Sequence, residues 1–266
     1  MRGRNGFGLM RSLILGLAVL AAATPAFAQE ARDERPRRTR IGLGPQLVPS
    51  FPGSDSYQLR PFIDVSRARG DDDFAFEAPD ESAGFPLLRT NGFSVGPAIG
   101  IEGKRRSRDV GGVLSEVGFT VELGGFVQVQ LTDAIRLRAE ARKGVNGHKG
   151  LNAMIGADYV LRDHDRWLVA IGPRLTLADD RYMNAYFGVS PGDAARSGLP
   201  IYDAGGGVQA VGATVGVLRQ LNDRWGISGY AKYDRLTGDA GDSPVVAAFG
   251  SRNQVSGGLA LSYTFD

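Results

Sequence analysis

Arg136, Arg138, Glu140 and Arg142 recur at every second position of one stretch, and Glu116, Glu122, Gln128 and Gln130 keep the same parity in the stretch before it. Asp158, Arg174, Lys232 and Asp234 continue that even-numbered set further along the chain. A spacing of two puts side chains on one face of a β-strand, so these charges share a single polar surface. Two kinds of chemistry fit them. One is a charge-compensated interior network, because a buried ion left unpaired costs several kcal/mol. The other is a selectivity ladder for polar solutes.

Catalysis finds little support. The only histidines are His148 and His164. His164 stands between Asp163 and Asp165 in a tight turn, the place of a solvated turn residue rather than a base. His148 lies in Asn146-Gly147-His148-Lys149-Gly150, read as an external hairpin loop with no serine beside it. The chain has no cysteine, so no metal or redox site can rest on thiolates. No catalytic, cofactor or metal residue is assigned. Gly205-Gly206-Gly207 leads into a strand pattern, Val211/Ala213/Val215/Val217, and so is not a nucleotide loop. Lys104, Arg105, Arg106 and Arg108 form the cationic cluster of an external loop; they suit the phosphates of lipopolysaccharide, or serve as a solvated loop.

The elements that position these residues are strands. Leu259/Leu261/Tyr263/Phe265, Val117/Phe119/Val121/Leu123, Leu151/Ile155/Tyr159/Leu161 and Trp225/Ile227/Tyr233 put apolar side chains at odd positions. Alternating segments of about ten residues separated by turn residues are the pattern of a transmembrane β-barrel. Strands that both point odd residues outward need an odd number of residues between facing partners. Thr132-Asp133-Ala134 and Asn222-Asp223-Arg224 meet that condition, and Asp and Asn suit such turns.

Twelve strands are expected, over 39–48, 57–66, 73–79, 84–89, 92–102, 115–131, 134–143, 150–162, 166–178, 206–221, 225–236 and 255–265. Short turns alternate with longer loops, the latter near 49–56, 80–83, 103–114, 144–149, 179–205 and 237–254. The fold class is therefore all-β, an antiparallel transmembrane barrel of about twelve strands with both ends of the chain on the periplasmic side.

Arg2, Arg4 and Arg11, the apolar run Leu13 to Ala23, and Ala26-Phe27-Ala28 have the layout of a secretory signal peptide over residues 1–28, cleaved after Ala28. Residues 29–38 are rich in charges of both signs and read as a periplasmic tail, leaving 39–266 for the barrel. Three of the 31 basic residues fall within 1–28, so the rest of the chain carries 28 against 29 acidic residues. A balance that close to neutral gives no reason to expect a nucleic-acid partner.

Residues 179–205 are long for a hairpin loop and carry Tyr182, Met183, Tyr186, Phe187 and Tyr202, which are costly to leave in water. The segment is expected to fold over or into the lumen. Helical spacing of Tyr182, Met183, Tyr186 and Phe187 makes a short helix the candidate lid.

Tyr186-Phe187-Gly188-Val189-Ser190 and Ser197-Gly198-Leu199-Pro200-Ile201-Tyr202-Asp203-Ala204-Gly205-Gly206 resemble the signature segment of the MipA/OmpV family of outer-membrane proteins. Tyr233-Asp234-Arg235-Leu236, Asp239-Ala240, Asp242-Ser243-Pro244-Val245-Val246, and Phe51-Pro52-Gly53-Ser54-Asp55-Ser56-Tyr57 before Arg60-Pro61 resemble further family segments. The resemblance implies a non-enzymatic barrel of the Gram-negative outer membrane, in contact with its lipid and lipopolysaccharide. MipA-type members imply a scaffold joining a lytic transglycosylase to a penicillin-binding protein at the cell wall. OmpV-type members imply instead a channel for small polar solutes or a surface receptor or adhesin.

Overall fold

The computed structural model describes residues 35–265, so the signal-peptide reading of 1–28 and most of the 29–38 tail lie outside the described residues. The alternation becomes a wall. Its strands are β1 (Arg37–Pro49), β2 (Tyr57–Arg69), β3 (Ala83–Gly84), β4 (Leu88–Thr90), β5 (Phe93–Glu102), β6 (Thr120–Gln130), β7 (Ile135–Gly144), β8 (Leu151–Asp163), β9 (Trp167–Ala178), β10 (Gly207–Gln220), β11 (Trp225–Leu236) and β12 (Asn253–Phe265). Odd-numbered Leu43, Leu59, Ile63, Ile101, Ile155, Ile171, Ile227 and Leu259 stay exposed on its outer face. Even-numbered Phe126, Arg136, Arg138, Glu140, Asp158, Arg174 and Thr214 are buried within. An outer band this apolar, around a charged interior, is a surface made for hydrocarbon. Aromatic residues mark its two rims. Trp225, Tyr263 and Phe265 stack edge to face at the short-turn end, while Tyr57, Phe119 and Tyr233 are exposed toward the long loops.

Twelve antiparallel strands form one curled sheet in the order β2-β1-β12-β11-β10-β9-β8-β7-β6-β5-β3, with β4 also paired to β5. From β5 to β12 neighbours in sequence are neighbours in space, and β12 also joins β1 through Leu261↔Leu43 and Thr264↔Arg40, whereas β2 and β3 do not pair and stand at the two ends of the sheet. Register follows the turns. The Leu131 amide donates to the Ile135 carbonyl at 2.9 Å, and the Leu221 amide to that of Trp225 at 2.8 Å, closing the three-residue loops read from parity. Only β10 shifts register, between Val208 and Ala210, and this turns Gln209 inward, 6 % exposed.

Four expectations need correction. Residues 73–79 form no strand; after β2 the chain turns and climbs through the interior to β3. The loop expected near 80–83 is the top of that climb, with Asp80 and Glu81 among interior cations rather than outside. Residues 115–119 precede β6, and Glu116 is exposed there, its carboxylate accepting from the Ser107 amide at 3.1 Å. Finally, β1 begins at Arg37, two residues inside the stretch read as a tail.

The long connections carry helices: a 3-10 turn at Ser107–Val110, α1 (Asp180–Phe187), α2 (Pro191–Ser197), α3 (Gly238–Gly241) and α4 (Pro244–Phe249). α1 is capped by Asp179, whose carboxylate accepts from the Tyr182 amide at 2.8 Å. α2 starts on Ser190, with Pro191 in its first turn, and ends at Gly198 with φ of 74°. Together they make the molecule's main apolar cluster, from Phe51, Val110, Leu114, Val117, Tyr182, Met183, Tyr186, Phe187, Val189, Leu236, Val245 and Val246. That cluster lies at the long-loop end.

Candidate functional site

Two constructions occupy the barrel. The first is the cap. Tyr182, Met183, Tyr186 and Phe187 are at most 2 % exposed, so the helix expected from their spacing exists and buries all four. Burial pushes the Tyr182 and Tyr186 phenols up, and the Glu102 carboxylate adds to both. The Ser243 hydroxyl donates to the Phe187 carbonyl at 2.6 Å, and the Tyr202 hydroxyl to the Asp239 carbonyl at 3.0 Å. The segments carrying the family resemblance, around 51–57, 186–206 and 239–246, thus converge in one apolar unit.

Two readings of loop residues change here. Arg105 is not free for lipid phosphates. It is 3 % exposed, donates to the carbonyls of Tyr186 and Ser115 at 2.8 and 2.9 Å, and burial lowers the pKa of its guanidinium from the ordinary value. Lys104, Arg106 and Arg108 remain exposed. His148 is not in an outward loop. Gly147 and Lys149 take φ of 54° and 55°, and the ring turns inward, 4 % exposed. Its Nδ1 accepts from the Gly150 amide at 3.0 Å, which leaves Nε2–H to donate to Glu122 at 3.0 Å. The ring packs edge to face on Tyr182, centroids 4.8 Å apart. His164, with φ of 48° and a side chain 83 % exposed, is the solvated turn residue expected.

The second construction is the interior segment 71–82 and the charges that grip it. Asp80 accepts from Arg174 Nε at 2.9 Å and from the Thr214 hydroxyl at 2.9 Å, and lies 3.3 Å from Lys232 Nζ. Glu81 pairs with Arg136, which also reaches Asp158 at 2.6 Å. The Ser82 hydroxyl donates to Glu140 at 2.8 Å, and Glu140 pairs in turn with Arg138 and Arg142. Arg142 Nε also donates to Glu122 at 2.8 Å. Below, Phe74 lies under the guanidinium groups of Arg38 and Arg40, and Phe76 under Arg136, 4.4 to 5.0 Å away. All eight lumen charges singled out in the sequence face inward: Glu122, Arg136, Arg138, Glu140, Arg142, Asp158, Arg174 and Lys232. Sequence reasoning missed Asp80 and Glu81, the acids that complete the set. The surplus of arginine over acid on β7 was the available signal that anions had to come from elsewhere.

Beneath this network the short-turn mouth opens into a cavity of about 590 Å3, bounded by Asp73, Phe76, Arg89, Phe93, Arg162 and His164 among others. Its wall mixes aromatic rings with charges of both signs. Among the described residues no cluster of acids and histidines has the grouping of a metal site.

Comparison with known proteins adds a family. A family model described as MltA-interacting protein MipA matches residues 41–265. Curated proteins give no match. Solved structures with some likeness include OprB of Pseudomonas putida at 10 % identity and a TM-score of 0.38, with 77 % of this chain covered; the chain spans about half, 49 %, of that protein. The toluene transporter TodX of P. putida has 11 % identity and a TM-score of 0.34, covering 86 % of this chain and 90 % of that one. A FadL homologue of Pseudomonas aeruginosa has 10 % identity and a TM-score of 0.32, covering 88 % and 90 %.

Proposed function

We propose, from the premise that this chain belongs to the MipA family of MltA-interacting proteins, that it is a plugged, non-enzymatic outer-membrane barrel that scaffolds murein remodelling at its periplasmic face. The observation that carries this reading is the filled interior. Arg136, Arg138, Glu140, Asp158 and Arg174 are each at most 5 % exposed, locked onto the chain's own Asp80, Glu81 and Ser82. A barrel stoppered at mid-depth and capped with apolar helices is a rigid platform rather than a pore. The short turns give a partner little area, but the mouth cavity supplies a recess with aromatic and charged groups, the mixture that anchors protein contacts. The family's description as MltA-interacting protein supports a lytic transglycosylase as the partner, and the scaffold reading adds a penicillin-binding protein as the second enzyme brought beside it.

The test is direct binding of a lytic transglycosylase to the barrel in detergent micelles. Arg89→Glu with His164→Glu at the mouth should weaken binding by at least tenfold while leaving the barrel folded; unchanged affinity would remove the mouth as the docking site. Passage of small polar solutes is the second reading, favoured by the cationic lining of the lumen. Ion-selective steps in planar bilayers from the unmodified protein would favour it over the scaffold.

A further inference from the structure

Within hydrocarbon every backbone N–H and C=O needs a partner, so an open sheet edge is not tolerated there. This sheet has two. Among the described residues β2 pairs with β1 alone, and on the other side of the gap stand β3 and β4, the two pieces of one interrupted strand along β5. Among the described residues one link across the gap is the Arg60 to Glu102 ion pair, 3.8 Å, near the long loops. The edges cannot close on each other as the rest of the sheet does. β2 runs toward the short-turn end, and β3–β4, antiparallel to β5, runs the same way. What is missing is one strand in the opposite direction. A second copy cannot supply it, because its own free edges run toward the short-turn end as well when it sits in the membrane the same way up.

We infer that residues 71–82 supply that strand through their middle part, 73–78, exchanging between the interior, where they act as a stopper, and the wall, where they complete the barrel. The segment lies in the chain between the two edges and already runs the required way, from the short-turn end upward. Its middle, residues 73–78, alternates as a wall strand should, with Phe74, Phe76 and Ala78 at even positions and Asp73 and Glu77 at odd ones, while Pro79 to Ser82 would form the turn that follows it. Its turn is ready. The Asp72 amide donates to the Arg69 carbonyl at 3.0 Å across Gly70 and Asp71, and Gly70 has φ of 51°, the form of a two-residue hairpin loop. Zipping from that turn sets Phe74 opposite Arg67, Phe76 opposite Val65 and Ala78 opposite Ile63. The apolar row then continues the lipid-facing row of β2, and Asp73 and Glu77 face the lumen. In the interior the segment trades those ladder bonds for the grip of Arg174, Lys232, Arg136 and Glu140 on residues 80–82. Exchange would leave those cations facing an emptied cleft open at the short-turn mouth, a lining suited to anions.

The chain has no native cysteine, so engineered pairs report cleanly. Ile63 points to lipid, 61 % exposed, while Ala78 is buried inside at 5 %; they lie on opposite sides of the wall and can bridge only if the segment enters it. The Ile63→Cys/Ala78→Cys protein, reconstituted in lipid vesicles with a membrane-permeant oxidant, should form the bridge slowly. Adding Asp80→Asn should speed this about tenfold by loosening the interior grip. A Val65→Cys/Ala78→Cys pair catches a register two residues away. The inference is overturned if neither pair bridges while an Asp80→Cys/Thr214→Cys pair bridges fully, or if Asp80→Asn leaves the rate unchanged. Either result leaves the plugged-platform reading to its own binding test.

Discussion

The cap and the interior stopper both fill the same barrel, one with rings and methyl groups, the other with ions. Around Phe187, at 0 % exposure, stability comes from area removed from water and from close packing. Around Arg136 it comes from charges that would be costly if parted yet contribute little net once their dehydration is counted. The difference teaches that a cap of this kind is a fixture, whereas a segment held by ion pairs can be released without dismantling the fold.

Single truncations should cost both regions most, and restoration should tell them apart. Phe187→Ala is expected to lose about 3–5 kcal/mol through its cavity, and Arg136→Met about as much because Glu81 is left buried with a lost partner. Adding Glu81→Leu to the latter should return most of the loss, whereas no second truncation near Phe187 should. Urea unfolding in lipid vesicles, read as a double-mutant cycle, measures this. Equal non-recovery in both regions would erase the distinction.

The wall that encloses the two regions makes the next test. Ile171→Arg places a charge in lipid and should cost about 2–4 kcal/mol, while Thr176→Arg adds a charge to an interior built for them and should cost less. Equal folding yields would contradict the register that separates inside from outside.

The smallest effect belongs to a polar clamp within the cap. Asp193, on α2, accepts from the Ser115 amide and hydroxyl at 2.9 and 2.8 Å and from the Ser190 hydroxyl at 2.9 Å, and pairs with Arg196. Burial alone would raise its carboxyl, but the Ser115 and Ser190 hydrogen bonds and Arg196 outweigh it and hold it below the usual 3.8. Its contribution is therefore complete above pH 3.8 and lost as pH falls through the depressed value. Asp193→Ala should cost about 1–2 kcal/mol near neutrality and nothing more once the native carboxyl is protonated; stability against pH for both proteins checks it.

Much of the molecule was legible in the sequence. Odd-position apolar residues marked the lipid face of β6, β8, β11 and β12, and the three-residue turns set the register of β6 on β7 and of β10 on β11, because a one-residue slip would turn every side chain to the wrong face. Helical spacing and apolarity marked Tyr182 to Phe187 as a lid. What escaped was set by partners distant in sequence. Residues 73–79 have the alternation of a strand, and only the cations of β7, β9 and β11 draw Asp80 and Glu81, and the segment with them, inside. Arg105 and its neighbours in the run Lys104 to Arg108 look alike as letters; the carbonyls of Tyr186 and Ser115 single it out. The inward turn of His148 is not legible in the sequence because it depends on positive φ at Lys149, a non-glycine.

The ladder between β1 and β12 joins segments from opposite ends of the chain, more distant in sequence than any other paired strands. Closing a loop that long carries the largest entropy cost of any pairing in the sheet, and it is repaid only after β12 has been made. The run from β5 to β12 can zip hairpin by hairpin, so docking of the β1–β2 hairpin onto the last strand is the step expected to be slowest. Until that docking occurs the β1–β2 hairpin has both of its edges bare, the state in which a strand is most open to wrong pairing.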